Sequence, residues 1–322
     1  MNGLGASRNR IVAMAVVAAV LIVVPLLLKP YGIYLLSMWA VLSIAAVGLN
    51  LTLGFAGQVS LAQASFVGIG AYSVALLTTQ GWPFGLALIV AAVLAFAVGW
   101  LLGYPALRVQ GHYLAFVTLA FGTLVFLVFR NEEWLTGGIA GINRIPRPSL
   151  LGLSTKPPLA FYYLCLVALA IVLVLLAALL RSPWGRAFVA LRENPIRAMS
   201  LGVDTRAYTL LAFAIGAGLG GVAGAFYAPL VQFVDPGSFT LLLSFNLLLM
   251  VVVGGIGFFF GPLIGAVVAV LLPEWLRFTE GLYLILYAVL VIVLMAFCPS
   301  GLSGLVERFR RVAPATSGEA QP

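Results

Sequence analysis

Ten apolar runs follow one another from Ile11 to Phe297, with little charge inside any of them. They fall near residues 11–28, 31–53, 61–80, 84–103, 113–129, 158–180, 208–230, 239–257, 261–276 and 281–297. A water-soluble domain has nowhere to hide so much continuous apolar surface. Each run approaches the roughly 20 residues a helix needs to cross about 30 Å of hydrocarbon. Lipid offers no partners to backbone N–H and C=O groups, so such runs cross it as helices. The expected fold is therefore all-α, a polytopic membrane protein of about ten transmembrane segments. The 54–60 region reads either as an inter-span turn or as a re-entrant segment.

Charge agrees with this. Only 8% of residues are charged, against about 25% in soluble domains. If the chain starts inside, the inside loops hold Arg8, Arg10, Arg108, Arg181, Arg186, Arg192, Arg197, Arg206, Arg308, Arg310 and Arg311. The outside loops hold Lys29, Arg130, Arg144, Arg147, Lys156 and Arg277. Eleven against six puts both termini in the cytoplasm by the positive-inside rule. The domain plan follows: a cytoplasmic N-terminus over 1–10, a transmembrane domain over 11–297, and a cytoplasmic tail over 298–322. The domain carries an inside loop at 181–206 and an outside loop at 130–157. The net charge of +8 is spread over loops rather than gathered on one domain, which argues against nucleic acid. Arg8 and Arg10 precede an apolar run that ends at Lys29-Pro30 rather than at a small-residue cleavage site. This reads as an uncleaved first span, not a signal peptide.

Catalytic chemistry is not expected. Lysine occurs only at 29 and 156, and neither belongs to a GxxxxGK phosphate loop. His112, the only histidine, stands at a membrane edge, where a structural role is the ordinary one. Cys165 and Cys298 lie in apolar runs and read as small hydrophobic fillers. No metal, cofactor or catalytic set is proposed from these residues. The spans also lack mid-membrane Asp, Glu, Lys or Arg, the groups that proton-driven transporters keep there. An uncharged path suits a zwitterion. Sodium coupling through carbonyls and hydroxyls stays open; otherwise the energy arrives from a partner.

Three stretches interrupt the apolar pattern. The first is GLNLTLGFAGQVSLAQASFVGIGAY, residues 48–72, where Gly54, Gly57, Gly68 and Gly70 alternate with amides and hydroxyls. One reading is a broken helix beside a translocation path, with Asn50, Gln58, Ser60 and Gln63 lining or supporting it. The other is a polar turn with small residues for packing. The second is a set of glycine rows, Gly216, Gly220 and Gly224, then Gly257, Gly261 and Gly265, read as helix-packing positions. The third is RSPWGRAFVALRENPIRAMSLGVDTR, residues 181–206, which holds five of the 17 basic residues. Ser182-Pro183 and Asn194-Pro195 are successive helix-start signals. A helix over about 183–193 would place Trp184, Ala187, Phe188 and Leu191 on one side. A second, to Leu201, would stop at Gly202, and Asp204 would cap the next span. A basic amphipathic run could simply lie on anionic lipid, but two successive caps favour a fixed shape.

At these residues the chain resembles the membrane-spanning permease subunits of bacterial ABC importers for branched-chain amino acids, specifically the second of the two paralogous permeases. The motifs are residues 48–72, YLAFVTLAFG (113–122), LTGGIAGINRIP (135–146), SPWGRAFVALRENPIRAMSLGVD (182–204) and GGIGFFFGPLIGA (254–266), with CPSGLSG (298–304) a weaker match. The resemblance implies a non-enzymatic subunit of the bacterial inner membrane, paired with a paralogous permease, two ATP-binding subunits and an external solute-binding protein. It implies that the 181–206 loop couples to the ATPase through Arg192, Glu193, Asn194, Ala198 and Gly202. Phe258, Thr209 and His112 depart from the expected pattern. Urea or short amides are the alternative substrates within such a family; an ion-coupled secondary transporter is the alternative class.

Overall fold

A computed structural model describes residues 16, 19–106, 112–150, 153–155, 157–275, 289, 292 and 301–304. Residues 19–27 are helical and lead into ten further helices that carry the argument. They are α1 Pro30–Asn50, α2 Gln63–Thr79, α3 Phe84–Ala106, α4 His112–Asn131, α5 Pro158–Arg181, α6 Pro183–Glu193, α7 Pro195–Ser200, α8 Thr205–Val231, α9 Leu241–Gly254 and α10 Gly261–Trp275. Arg8, Arg10, Arg108, Lys156, Arg277, Cys298, Arg308, Arg310, Arg311 and the side chain of His112 lie outside the described residues. So do both termini and most of the 281–297 run.

Five stretches are long and apolar enough to cross a membrane: Pro30–Phe55, Phe84–Ala106, Tyr113–Asn131, Pro158–Arg181 and Thr205–Val231. The expectation of about ten full spans is thus met only in part among the described residues. The 61–80 run is a 17-residue helix. The 239–257 and 261–276 runs are shorter still, 14 and 15 residues. At 1.5 Å per residue, 14 residues rise about 21 Å, short of about 30 Å of hydrocarbon. Gly255 and Gly257, at φ 119° and 79°, turn the chain between the two short helices, which then pack on each other.

The bundle has an inner and an outer set. Two-thirds of the apolar window is buried in Pro30–Phe55 and Thr205–Val231, 67% in each case, against 22% in α3, α4 and α5. The outer helices present faces such as Ile89, Val93, Leu101, Val174 and Leu175 to lipid. In lipid, apolar helices gain little by hiding from their surroundings, so close backbone approach has to hold them together. The glycine row of α8 does this. A Cβ built on Gly224 would lie 1.9 Å from the Val67 carbonyl oxygen of α2. One on Gly216 would lie 2.7 Å from the Gly48 carbonyl of α1, and one on Gly220 would lie 2.9 Å from the Phe66 Cβ. Gly221, on another face, meets α3 at Ala95 and Ala91. Gly261 and Gly265 serve the α9–α10 contact, where a Cβ on Gly265 would lie 1.7 Å from the Met250 carbonyl oxygen. Gly257 differs from the expectation: it sits on no helix, and its positive φ in the turn is what requires glycine.

The all-α expectation also needs a small amendment. Two antiparallel strand pairs form, β1 Ile142–Asn143 with β4 Phe233–Val234, and β2 Ser149–Leu150 with β3 Leu153–Ser154. Gly137, Gly138 and Gly141 all have positive φ and fold the 132–141 segment tightly enough to lay residues 142–143 along 233–234.

Candidate functional site

Two regions concentrate the polar groups of the described bundle, one at the end that carries α6 and α7, the other between α2, α4 and α9.

The first begins with the local structure of 181–206. Pro183 occupies the first turn of α6, and Pro195 the first turn of α7. Asn194 caps α7 by accepting from the Arg197 N–H at 3.0 Å. Asp204 caps α8 by accepting from the Arg206 and Ala207 N–H groups at 3.0 and 3.1 Å. The far end of α7 closes with the Gly202 N–H on the Met199 carbonyl and the Val203 N–H on the Ala198 carbonyl, a Schellman stop with Gly202 at φ 83°. Nothing lies within 4 Å of a Cβ at Gly202, so conformation alone demands glycine there. Ser182 differs from the expectation. It stands at the N-cap position, but its hydroxyl donates to Leu179, closing the preceding helix. Trp184 is also turned out, at 49% exposure, whereas Ala187, Phe188 and Leu191 are buried as expected and Gly185 takes the remaining inward place.

From this platform Arg192 reaches into the bundle. Its Nη1 donates to the Gly54 carbonyl at 2.5 Å. That carbonyl belongs to a π-helical turn, Leu51–Phe55, that ends α1. A wider turn of this kind leaves backbone groups open to outside donors. Asn50 secures the same junction from within. Its Nδ2 donates to the Phe258 carbonyl at 3.0 Å, and its Oδ1 accepts from the Gly257 N–H at 2.9 Å. A Cβ on Gly257 would fall 2.2 Å from Arg192 Nη1, and one on Gly54 would fall 2.5 Å from the Gly257 nitrogen. Helix α6, the π-turn and the α9–α10 turn therefore meet at Arg192, Gly54, Asn50 and Gly257. Of the other residues expected to couple, Glu193 is exposed, Asn194 is half-buried, Ala198 is buried and Gly202 is exposed.

After the π-turn the chain runs without regular structure to Gln63. The helix is broken here, as one reading of 48–72 required. Several polar side chains, however, are occupied by protein. Gln63 is buried, and its Nε2 donates to the carbonyls of Ala45 in α1 and Gly216 in α8, each at 3.1 Å. Ser60 is buried and accepts from the Ala62 N–H. Gln58 is half-buried, donating to Ala56 at 3.3 Å. Thr118 of α4 accepts from the Leu61 N–H, and Ser244 of α9 accepts from the Ala64 N–H at 3.1 Å. Thr118 and Ser244 were missed in the sequence. Each is a lone hydroxyl in an apolar helix, and only the fold brings it to the start of α2.

Between α2, α4 and α9 lies a cavity of about 210 Å³. Leu61, Leu119, Phe126 and Phe239 supply its apolar wall, and Ser65, Thr123, Thr240 and Ser244 its hydroxyls. None of the lining side chains is ionisable. Among the described residues no group of three or more His, Cys, Asp or Glu side chains could hold a metal.

The sequence model of the family described as "Branched-chain amino acid transport system / permease component" matches residues 31–295. The chain is 38% identical over 283 residues to the high-affinity branched-chain amino acid transport system permease protein LivM of Escherichia coli K12, covering 80% of this chain and 67% of that protein. It is 36% identical to the LivM protein of Salmonella typhimurium LT2, covering 86% and 71%. It is 28% identical to a probable branched-chain amino acid transport permease protein LivM of Methanocaldococcus jannaschii, covering 67% of each. No solved structure matches.

Proposed function

From the premise that the chain belongs to the permease-component family of branched-chain amino acid transport systems, we propose that it forms half of an importer's translocation path and takes its energy from a separate ATPase. The observation that carries the coupling role is the hydrogen bond from Arg192 of α6 to the Gly54 carbonyl in the π-turn that ends α1. A push on α6 and α7 is delivered to the place where α1 breaks and the α9–α10 turn is clamped. The ATPase contact lies on the outward face of α7, where Ile196, Met199 and Leu201 are 73%, 61% and 83% exposed, with Glu193 beside them. Arg192, itself exposed, reaches the Gly54 carbonyl with its guanidinium and acts as the transmitter within this chain.

The remaining assignments follow from that orientation. The α6–α7 end faces the cytoplasm of a bacterial cell, and the 132–146 segment faces outward. There Trp134 and Ile139, 81% and 74% exposed, offer a surface to a solute-binding protein. The partner permease covers the face on which the cavity opens, where Leu124, Leu127, Leu242 and Phe245 are exposed. Within the path, Asn50, Ser60 and Gln63 support the broken segment and Gln58 lines it. The importer reading is tested by reconstituting this chain with its partner permease, ATPase and binding protein in liposomes. Leucine uptake that requires ATP, and is lost in Ile196→Asp/Leu201→Asp with the permease pair intact, is the expected result. Gradient-driven uptake by this chain alone would overturn it.

A further inference from the structure

We infer that the hydroxyls of Ser65, Thr240 and Ser244, together with the first turn of α9, form the seat for the carboxylate of an α-amino acid in transit; the inference rests on the importer reading above. Ser65 is 3% exposed and lines the cavity; its N–H donates to the Ala62 carbonyl, but its hydroxyl makes no hydrogen bond among the described residues. A hydroxyl buried without a partner is costly, and this one stands open to the cavity. Thr240 lines the same cavity at the N-cap of α9 and makes no side-chain cap bond. Ser244 accepts from the Ala64 N–H, which leaves its own proton for another acceptor. Three donors from two elements therefore converge on one space.

The backbone adds to them. The first N–H groups of a helix have no intrahelical acceptor, and the helix dipole makes that end positive. In α9 these are Leu241 and Leu242; the Leu243 N–H already donates to the Thr240 carbonyl. Thr240 and Leu241, at the start of α9, line the cavity, so this positive end meets it. The arrangement favours an anionic oxygen pair held by neutral donors, the manner in which interrupted membrane helices hold substrate carboxylates. The lining has no fixed charge, so a molecule with a net charge would find no counter-ion there. Its apolar wall, with Leu119, Phe126 and Phe239, suits an aliphatic side chain. At about 30 Å³ per water, 210 Å³ holds about seven water-sized groups, the scale of a single small amino acid and not of a peptide.

The test uses the complete transporter in proteoliposomes, with radiolabelled leucine as the probe and ATP hydrolysis read in parallel. Ser65→Ala and Thr240→Val are each expected to lower leucine uptake roughly ten- to a hundredfold, the loss of one hydrogen bond to a charged group. Ser65→Thr, which keeps the hydroxyl, restores most of it. Thr240→Asp, at a half-buried position, repels the carboxylate and is expected to cut uptake at least a hundredfold while the complex assembles and basal ATP hydrolysis persists. A wild-type complex with ATP-driven uptake whose Ser65→Ala, Thr240→Val and Thr240→Asp forms transport within threefold of it overturns the inference. A wild-type complex without ATP-driven uptake overturns the importer reading instead.

Discussion

Arg192 and Gly202 show how single residues in one loop serve different ends. Gly202 touches nothing, yet its φ of 83° and its N–H on the Met199 carbonyl close α7. An L-residue in that conformation costs about 1–2 kcal/mol. Gly202→Ala should lower the ratio of leucine transported to ATP hydrolysed. Gly202→Pro, which also loses the donor and cannot take a positive φ, should abolish transport while hydrolysis continues. Equal coupling ratios in both variants would remove α7's shape from the mechanism. Arg192 acts by reach, its guanidinium donating to Gly54 across the gap between α6 and α1. Arg192→Met keeps the apolar stem and deletes the donor. It should reduce the coupling ratio about tenfold, with Arg192→Lys intermediate because an ammonium lacks the planar fork.

At the scale of elements, α8 is held by what its glycines allow. Gly224 faces the Val67 backbone so closely that any Cβ must push α2 away, whereas a Cβ on Gly218 would meet the Phe96 Cβ at 3.4 Å, an ordinary contact. Gly224→Ala should destabilise the detergent-purified protein by about 1–3 kcal/mol and Gly218→Ala by much less. Thermal unfolding of the two variants checks this, and equal midpoints would contradict the packing account. Gln63 binds the same layer by different means, donating from α2 to α1 and α8 together. The α9–α10 hairpin depends on Gly254, Gly261 and Gly265 for its closeness and on two positive-φ glycines for its turn.

For the whole molecule, the broken segment after α1 is a junction as much as a lining. All four polar residues expected on the route have side-chain hydrogen bonds within the protein, but the bond of half-buried Gln58 reaches only its neighbour Ala56. Cysteine substitution separates the roles. Gln58→Cys should react with water-soluble thiol reagents in the assembled transporter; Asn50→Cys and Gln63→Cys should stay inert and express poorly. Rapid labelling at Asn50 or Gln63 would instead place the aqueous route through the α1–α8 contact. The inner helices α1 and α2 both pack on α8. The cavity lies beside them, between α2, α4 and α9.

The chain's own residues determined a helical membrane protein, the position of the 181–206 loop and its two short helices, and marked 48–72 as irregular without deciding between a broken helix and a turn. These are local matters: hydropathy over about 20 residues, proline and Asx capping, and glycine where a helix must stop. Which glycines serve packing and which serve φ was not local. Gly257 and Gly261 belong to one row in sequence, but one is in a turn and the other on a helix. The length of α9, the bond from Arg192 to Gly54 and the convergence of Ser65, Thr240 and Ser244 were decided only by tertiary structure. Hydroxyls and single amides carry no period that marks a face in an apolar helix, and in lipid their value depends on the partner that another part of the chain brings to them.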